Sequence, residues 1–260
     1  MTQLWLPVVA LWRREIVRFV RQRSRVTGAF AQPLVFWLLL GGGLNASFRP
    51  AGAAAGTNYV EYFYPGTIVL VLLFTAIFST ISTVEDRREG FLQGVLVAPV
   101  PRWAIVLGQA LGGTSLAVLQ GILFLLLAPL LGIPLSLLSV LAMILVMLIV
   151  SLSLTSLGLI IAWRMESTQG FHAIMNLILL PIWLLSGAFF PATGAPAPLR
   201  LLMLVNPLTY GMAALRRCLY LTKPVAAGAV PPLGLSVAIS VVFCVVAFTA
   251  AARSASRTAA

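Results

Sequence analysis

AIVLGQALGGTSLAVLQGILFLLLAPLLGIPLSLLSVLAMILVMLIVSLSLTSLGLIIAW, residues 104–163, contains no charged side chain. A helix crosses the hydrocarbon core of a bilayer in about 20 apolar residues, so this stretch holds two crossings and a turn. Gly132-Ile133-Pro134 supplies the turn, dividing it into spans 104–131 and 135–163. Outward from there lie four further apolar runs, 28–48, 63–84, 171–190 and 232–252. The remaining composition agrees: 60% of the chain is hydrophobic, 9% is charged and mean hydropathy is +1.04. A soluble domain carries about 25% charge, so this chain has too few charged side chains to coat a globule in water. Backbone groups in lipid must be satisfied within the protein, and no period-2 alternation marks barrel strands. The expected fold is an all-α integral membrane protein with six transmembrane helices.

Charge orders these spans. The net charge of +11 would suggest a nucleic-acid partner in a soluble chain. Here the basic residues, all Arg except Lys223, flank apolar runs and read as topology determinants, so no nucleic acid is expected. Twelve of them fall before the first span, in the second-to-third and fourth-to-fifth connections, and in the tail. Five fall on the other side, Arg49, Arg200, Arg216, Arg217 and Lys223. The positive-inside rule therefore places both termini in the cytoplasm.

Residues 1–27 read as an amphipathic helix, not a cleavable signal, because the basic residues follow the short apolar stretch 4–12. On a helix, Trp5, Val9, Trp12, Ile16 and Phe19 form an apolar stripe beside a basic strip of Arg14, Arg18, Arg21 and Arg25. Such a helix lies in the interface, rings in the acyl boundary and Arg side chains among anionic headgroups; the other reading is a basic cluster that only sets topology.

Directly after the second span, Glu85, Asp86, Arg87, Arg88 and Glu89 place five charges in a row before Gly90. The run 91–97 follows, and Phe91, Leu92, Val95 and Leu96 share one face of a two-turn helix. Pro99 and Pro101 end it before the third span. Composition alone supports two readings: a docking element for a cytoplasmic partner, or a capped turn between two spans.

The chain offers little chemistry of its own. Its six acids, Glu15, Glu61, Glu85, Asp86, Glu89 and Glu166, avoid the middle of every span, which argues against a cation-coupled carrier. Gly41-Gly42-Gly43 lacks the Lys-Ser/Thr of a phosphate loop. The single histidine, His172, has no partner at metal-ligand spacing, and Cys218 and Cys244 have none either. Ser186-Gly187 has no neighbouring base. Gly108 and Gly112 read as a close helix-packing face.

Two stretches carry a family resemblance. VEDRREGFLQGVLVAPVPRWAIVLGQALGG, residues 84–113, resembles the characteristic loop of ABC-2 type permeases at Glu85, Arg88, Glu89, Gly90, Leu96, Pro99, Arg102, Trp103, Ile105, Val106 and Gly108. The second, LLPIWLLSGAFFPATGAPAPLRLLMLVNPLTYGMAALR, is similar at Pro181, Ser186, Gly187, Pro191, Pro196, Asn206, Pro207, Thr209, Tyr210 and Arg216. Phe91 stands where the family commonly has Thr, and Gly94 where it has an acid or Gln.

The resemblance implies a single membrane domain: an N-terminal connecting helix, a coupling-helix loop over 85–103, and re-entrant helices over 191–231 facing outward. It implies a bacterial-type inner-membrane exporter built from two permease copies, a homodimer in the simplest case, with a separate ATP-binding-cassette ATPase. ATP and Mg would sit on that ATPase, leaving no cofactor or catalytic residue in this chain. Glu85, Asp86, Arg87, Arg88, Glu89, Gly90, Phe91, Leu92, Val95 and Leu96 would then transmit force from the ATPase. Arg200, Arg216 and Arg217 on half-immersed outer helices would snorkel to headgroups. Phe74, Phe78, Ser79, Ser82 and Asn176 would line a path for an amphipathic or lipid-like substrate such as a drug, lipid or saccharide. The alternative is a membrane scaffold that recruits a cytoplasmic partner through residues 85–97 without transport.

Overall fold

The computed structural model describes residues 2–45 and 58–257, and all regular secondary structure within them is helical. Helix α1 is Thr2–Arg21 and α2 is Arg23–Phe36, which continues through a wide π turn, Trp37–Gly41, to Leu44. Then come α3 (Tyr59–Arg88), α4 (Phe91–Val97), α5 (Arg102–Leu125) and α6 (Leu137–Ala162). Helix α7 (Thr168–Trp183) runs into a second π turn, Leu184–Ala188, and is followed by α8 (Ala197–Val205), α9 (Pro207–Leu219) and α10 (Leu233–Arg257). Polar side chains set the helix starts. Asn58, Ser136, Ser167 and Asn206 each accept a backbone N–H two or three residues on.

Among the described residues six helices are long and apolar enough to cross a bilayer, Val26–Leu44, Tyr59–Arg88, Arg102–Leu131, Leu137–Ala162, Thr168–Ala188 and Leu233–Ser256. The end of the first apolar run (46–48) and Arg49 lie outside the described residues. Helix α3 is longer than the apolar run 63–84 at both ends. Asn58 caps its start, and Glu85–Arg88, read from sequence as a charged turn, form its last turn. Gly90, left-handed at φ 78°, then breaks the chain away from the α3 axis.

Helix α3 is the axis of the bundle. Of its most apolar window 94% is buried, against 17% for the first span and 28% for the last. It packs against α2, α5, α6, α7 and α9. At its start, aromatic and glycine residues pin it to the end of α7. Trp183 Nε1 donates to the Gly66 carbonyl at 2.9 Å, Tyr62 donates to Gly187 O at 3.0 Å, and Tyr59 donates to Phe189 O at 3.1 Å. Helices α8 and α9 are joined through Asn206, whose side chain caps Leu208 N and donates to Ile182 O, while Thr209 donates to Met203 O. At about 14 and 20 Å these two helices are shorter than the roughly 30 Å hydrocarbon core.

Arg216 and Arg217 depart from the expectation that they snorkel outward, whereas Arg200 is exposed. Arg217 donates to the carbonyls of Pro231 and Val230, both at 2.6 Å, and Arg216 is buried against Tyr62. Segment 224–231 folds over α9, so the nearest acceptors are backbone carbonyls of the protein itself.

Candidate functional site

At the far end of α3, α1 lies along α5 in a groove that glycines open. A Cβ on Gly112 would fall 2.5 Å from Glu15 Cβ, and one on Gly108 would fall 2.8 Å from Leu11 Cβ. Without side chains at these two positions, Val8, Leu11, Glu15 and Phe19 of α1 become buried. Trp5, Val9 and Trp12 lie on the exposed flank, and Trp12 Nε1 donates to Ser115 Oγ at 3.0 Å. The helix thus has two apolar faces, one against α5 and one open.

This seating aims two arginines at the last turn of α3. Arg14 grips Asp86 with both guanidinium ends, Nη1 to Oδ2 at 2.5 Å and Nη2 to Oδ1 at 2.6 Å. Arg18 donates to Asp86 Oδ1 and, at 2.8 Å, to Glu85 Oε2. Asp86 is fully buried by these contacts. The fork of a guanidinium matches a carboxylate in two parallel bonds, among the strong hydrogen bonds proteins make. Beneath them Glu15, also buried, accepts from Ser82 Oγ at 2.6 Å and from Arg14 Nη1 at 3.3 Å. Burial pushes the Glu15 carboxyl above the usual carboxylate range, an effect only partly offset by the Ser82 hydrogen bond. The Asp86 hydrogen bond holds the Arg14 guanidinium above its usual value.

The clamp extends into α4. The Arg14 guanidinium carbon sits 3.9 Å from the centre of the Phe91 ring, a cation–π contact across the Gly90 break. Leu92 is buried, and Val95 and Leu96 pack with it against Leu11, Ile105, Val106, Trp163 and Ala251. Arg87 donates to Trp163 O at 2.5 Å, and Arg102 closes the far side by donating to Leu96 O at 3.0 Å. Leu92, Val95 and Leu96 of this short helix therefore point into the protein. Arg88, Glu89, Phe91, Gln93, Gly94 and Val97 remain exposed.

Sequence reasoning grouped residues that the structure separates. Arg14 and Arg18, read as headgroup ligands, face Asp86 because α1 is docked on α5. Arg21 is exposed, and the side chain of Arg25 lies outside the described residues. Ser79 and Ser82 are buried on α3, with Ser82 turned onto Glu15. Phe74 and Phe78 stack at 6.2 Å, and Phe78 meets the His172 ring edge-on at 5.9 Å. Asn176 is not with them, lying exposed on α7. Glu15 was missed as a site residue. Its place one turn beyond Leu11, on a face matched to Gly108 and Gly112, was the available signal.

Charge-assisted bonds join α1 to α3 and α5 to α4, and the Arg14–Phe91 contact links α1 to α4. The family model described as ABC-2 type transporter matches residues 7–220, which include the whole cluster. The ycf38 protein of Cyanophora paradoxa is 28% identical over 210 residues, 79% of this chain and 71% of that one. Nodulation protein J of Rhizobium leguminosarum bv. trifolii is 28% identical over 213 residues, 80% and 79% of the two chains. Inner membrane transport permease YadH of Escherichia coli K12 is 24% identical over 213 residues, 82% of each. With six helices able to cross a bilayer and a family match over most of its length, this chain belongs to the ABC-2 type transporter family as a multi-pass membrane permease.

Proposed function

We propose that this permease is the membrane half of an ATP-driven exporter, moved by a separate ATP-binding-cassette ATPase seated against α4. One observation carries the reading: α4 buries its apolar side under the Arg14–Asp86 clamp and leaves Arg88, Glu89, Phe91 and Gln93 outward beside it. A push on those exposed side chains has a short bonded route into α1 and α3. On this reading the clamp end is cytoplasmic, as are both termini, and the membrane is an inner membrane of bacterial type, the location that the name of the Escherichia coli relative carries. ATP and Mg belong to the ATPase.

Two copies of the permease form the conduit. Helix α3 is enclosed within one protomer, so a path needs another wall. Helix α7 offers one: Asn176 near its middle is exposed beside Leu177, with no hydrogen-bond partner among the described residues. A bare amide facing lipid is costly, and a second copy or an amphipathic substrate would satisfy it. A cargo with both polar and apolar parts, a drug, lipid or saccharide-linked lipid, suits such a surface.

The test is vanadate-sensitive ATP hydrolysis by the permease co-purified with its ATPase. Glu89→Arg reverses an exposed charge on the docking face and is expected to lower permease-dependent hydrolysis about tenfold, the effect of losing roughly 1.4 kcal/mol at an interface. Gly90→Pro, which the left-handed φ cannot accommodate, is expected to abolish it. Hydrolysis indifferent to both changes would instead make the chain a scaffold that recruits its partner without transport.

A further inference from the structure

At the end of α3 opposite the clamp, a cavity opens between the first turn of α3, the π turn after α7, α8, α9 and segment 226–231. It holds about 640 Å³ of space free of protein atoms, part of it open to the outside. Arg216 reaches it from α9 and is only 5% exposed. Its guanidinium carbon lies 4.1 Å from the Tyr62 ring centre, and Nη2 donates to Tyr62 O at 3.0 Å. A guanidinium has five N–H donors. Among the described residues the others find no protein acceptor, and no carboxylate lies within ion-pair distance. A buried cation in that state needs a counter-charge.

Glu61, half-buried, lines the same cavity. Both charges are felt at a third lining group, the Tyr220 hydroxyl, which burial pushes up to about 12 while Arg216 pulls it down and Glu61 pushes it up. The rest of the wall is largely apolar, including Met203 and Ala213. The cavity therefore presents one cationic and one anionic group. A simple anion would meet Glu61, and a simple cation would meet Arg216. A ligand carrying both charges on a short link meets neither objection.

Its depth identifies the source. Glu61 and Asp86 stand about 37 Å apart along α3 at 1.5 Å per residue, more than the roughly 30 Å of hydrocarbon between them. The apolar run of α3 begins just after Glu61, so the cavity lies at headgroup level. We propose that it binds the phosphoethanolamine group of a zwitterionic lipid, with phosphate on Arg216 and ammonium on Glu61. This site is independent of the exporter reading and needs no ATPase.

The experiment is native mass spectrometry of the full chain in detergent, titrated separately with phosphatidylethanolamine and phosphatidylglycerol and challenged with free phosphoethanolamine. The ethanolamine lipid is expected to bind about tenfold more tightly than the glycerol lipid, the worth of one charge-assisted contact. Glu61→Gln should erase that preference while keeping binding of both lipids, and Arg216→Gln should weaken both. Because Arg216 also holds Tyr62, thermal unfolding is followed in parallel, and Glu61→Gln decides the matter if Arg216→Gln does not fold. Equal binding of the two lipids by the unaltered chain overturns the proposal, as does a preference that survives Glu61→Gln. Competition by free phosphoethanolamine at the lipid's own concentration overturns the lipid as the source.

Discussion

The two ends of α3 use the same residue types in opposite ways. At the clamp end, Arg14 and Arg18 close on Asp86, Glu85 and Glu15, so cation and anion are consumed within the protein. At the other end, Arg216 stands over Tyr62 and among the described residues reaches only a backbone carbonyl, while Glu61 lines the same cavity without touching it. Sequence proximity does not explain the difference, because Arg14 and Asp86 are as remote in the chain as many unpaired charges. The neighbouring backbone does. Gly108 and Gly112 let α1 sink until its arginines meet α3, whereas the π turn around Gly187 widens the helix end and leaves a gap. A closed charge cluster transmits force, and an open one has valence left for a ligand.

The contrast is most exposed to Asp86→Asn. Removing the shared anion leaves two partly buried guanidiniums facing a neutral amide. The expected loss is about 3 kcal/mol of stability, the scale for breaking a buried pair, with detachment of α1. Thermal unfolding in detergent reads the loss, and limited proteolysis near Arg21 reads the detachment. A change no larger than that of Arg216→Gln would break the distinction between the ends.

Gly112→Val comes next. The added methyls enter space that Glu15 fills, at an expected cost of about 2 kcal/mol from overpacking. A Cys pair placed at Trp12 and Ser115 should lose its cross-linking in this background, and unchanged cross-linking would mean that the groove is not what seats α1. At the open end, Arg216→Lys keeps the charge but loses the planar contact with Tyr62, an expected cost of about 1 kcal/mol in thermal unfolding.

The smallest signal is a pH dependence at Glu15. Burial raises its pKa in the folded protein, so the folded state binds this proton more readily than the unfolded chain. The stability it confers is full below the ordinary carboxylate range and is lost as pH rises through the elevated value. Glu15→Gln removes that titration. The melting temperature of the variant relative to the parent should therefore climb as pH rises over this window, and a relative fall would contradict the assigned direction.

Much of the architecture could be read from residue order. Charge-free residues 104–163 require two crossings, and Gly132 takes the left-handed turn between them at φ 72°. The short helix Phe91–Val97 follows from its apolar spacing and its flanking glycine and proline. Periodicity found both apolar faces but not what covers each. The stripe Trp5–Val9–Trp12 is exposed while Phe19 at its end is buried, and in the row Leu92–Val95–Leu96 the first is buried and the other two half-buried. A hydrophobic face in a membrane protein has two apolar environments to choose between, lipid and protein, and composition does not distinguish them. Glu15 and the Arg216 pocket escaped notice for a related reason, since each depends on a partner brought from another part of the chain.

Sequence by itself determined that this chain crosses a bilayer six times as helices, because unpaired backbone in hydrocarbon is too costly and no period-2 alternation offers a barrel instead. It also determined the family, through residues 85–108 and 181–216. Only the tertiary structure decided which charges are paired and which stand open. That choice depends on how closely two helices approach, as at Gly112, where the missing side chain lets Glu15 and the arginines of α1 come up to α3.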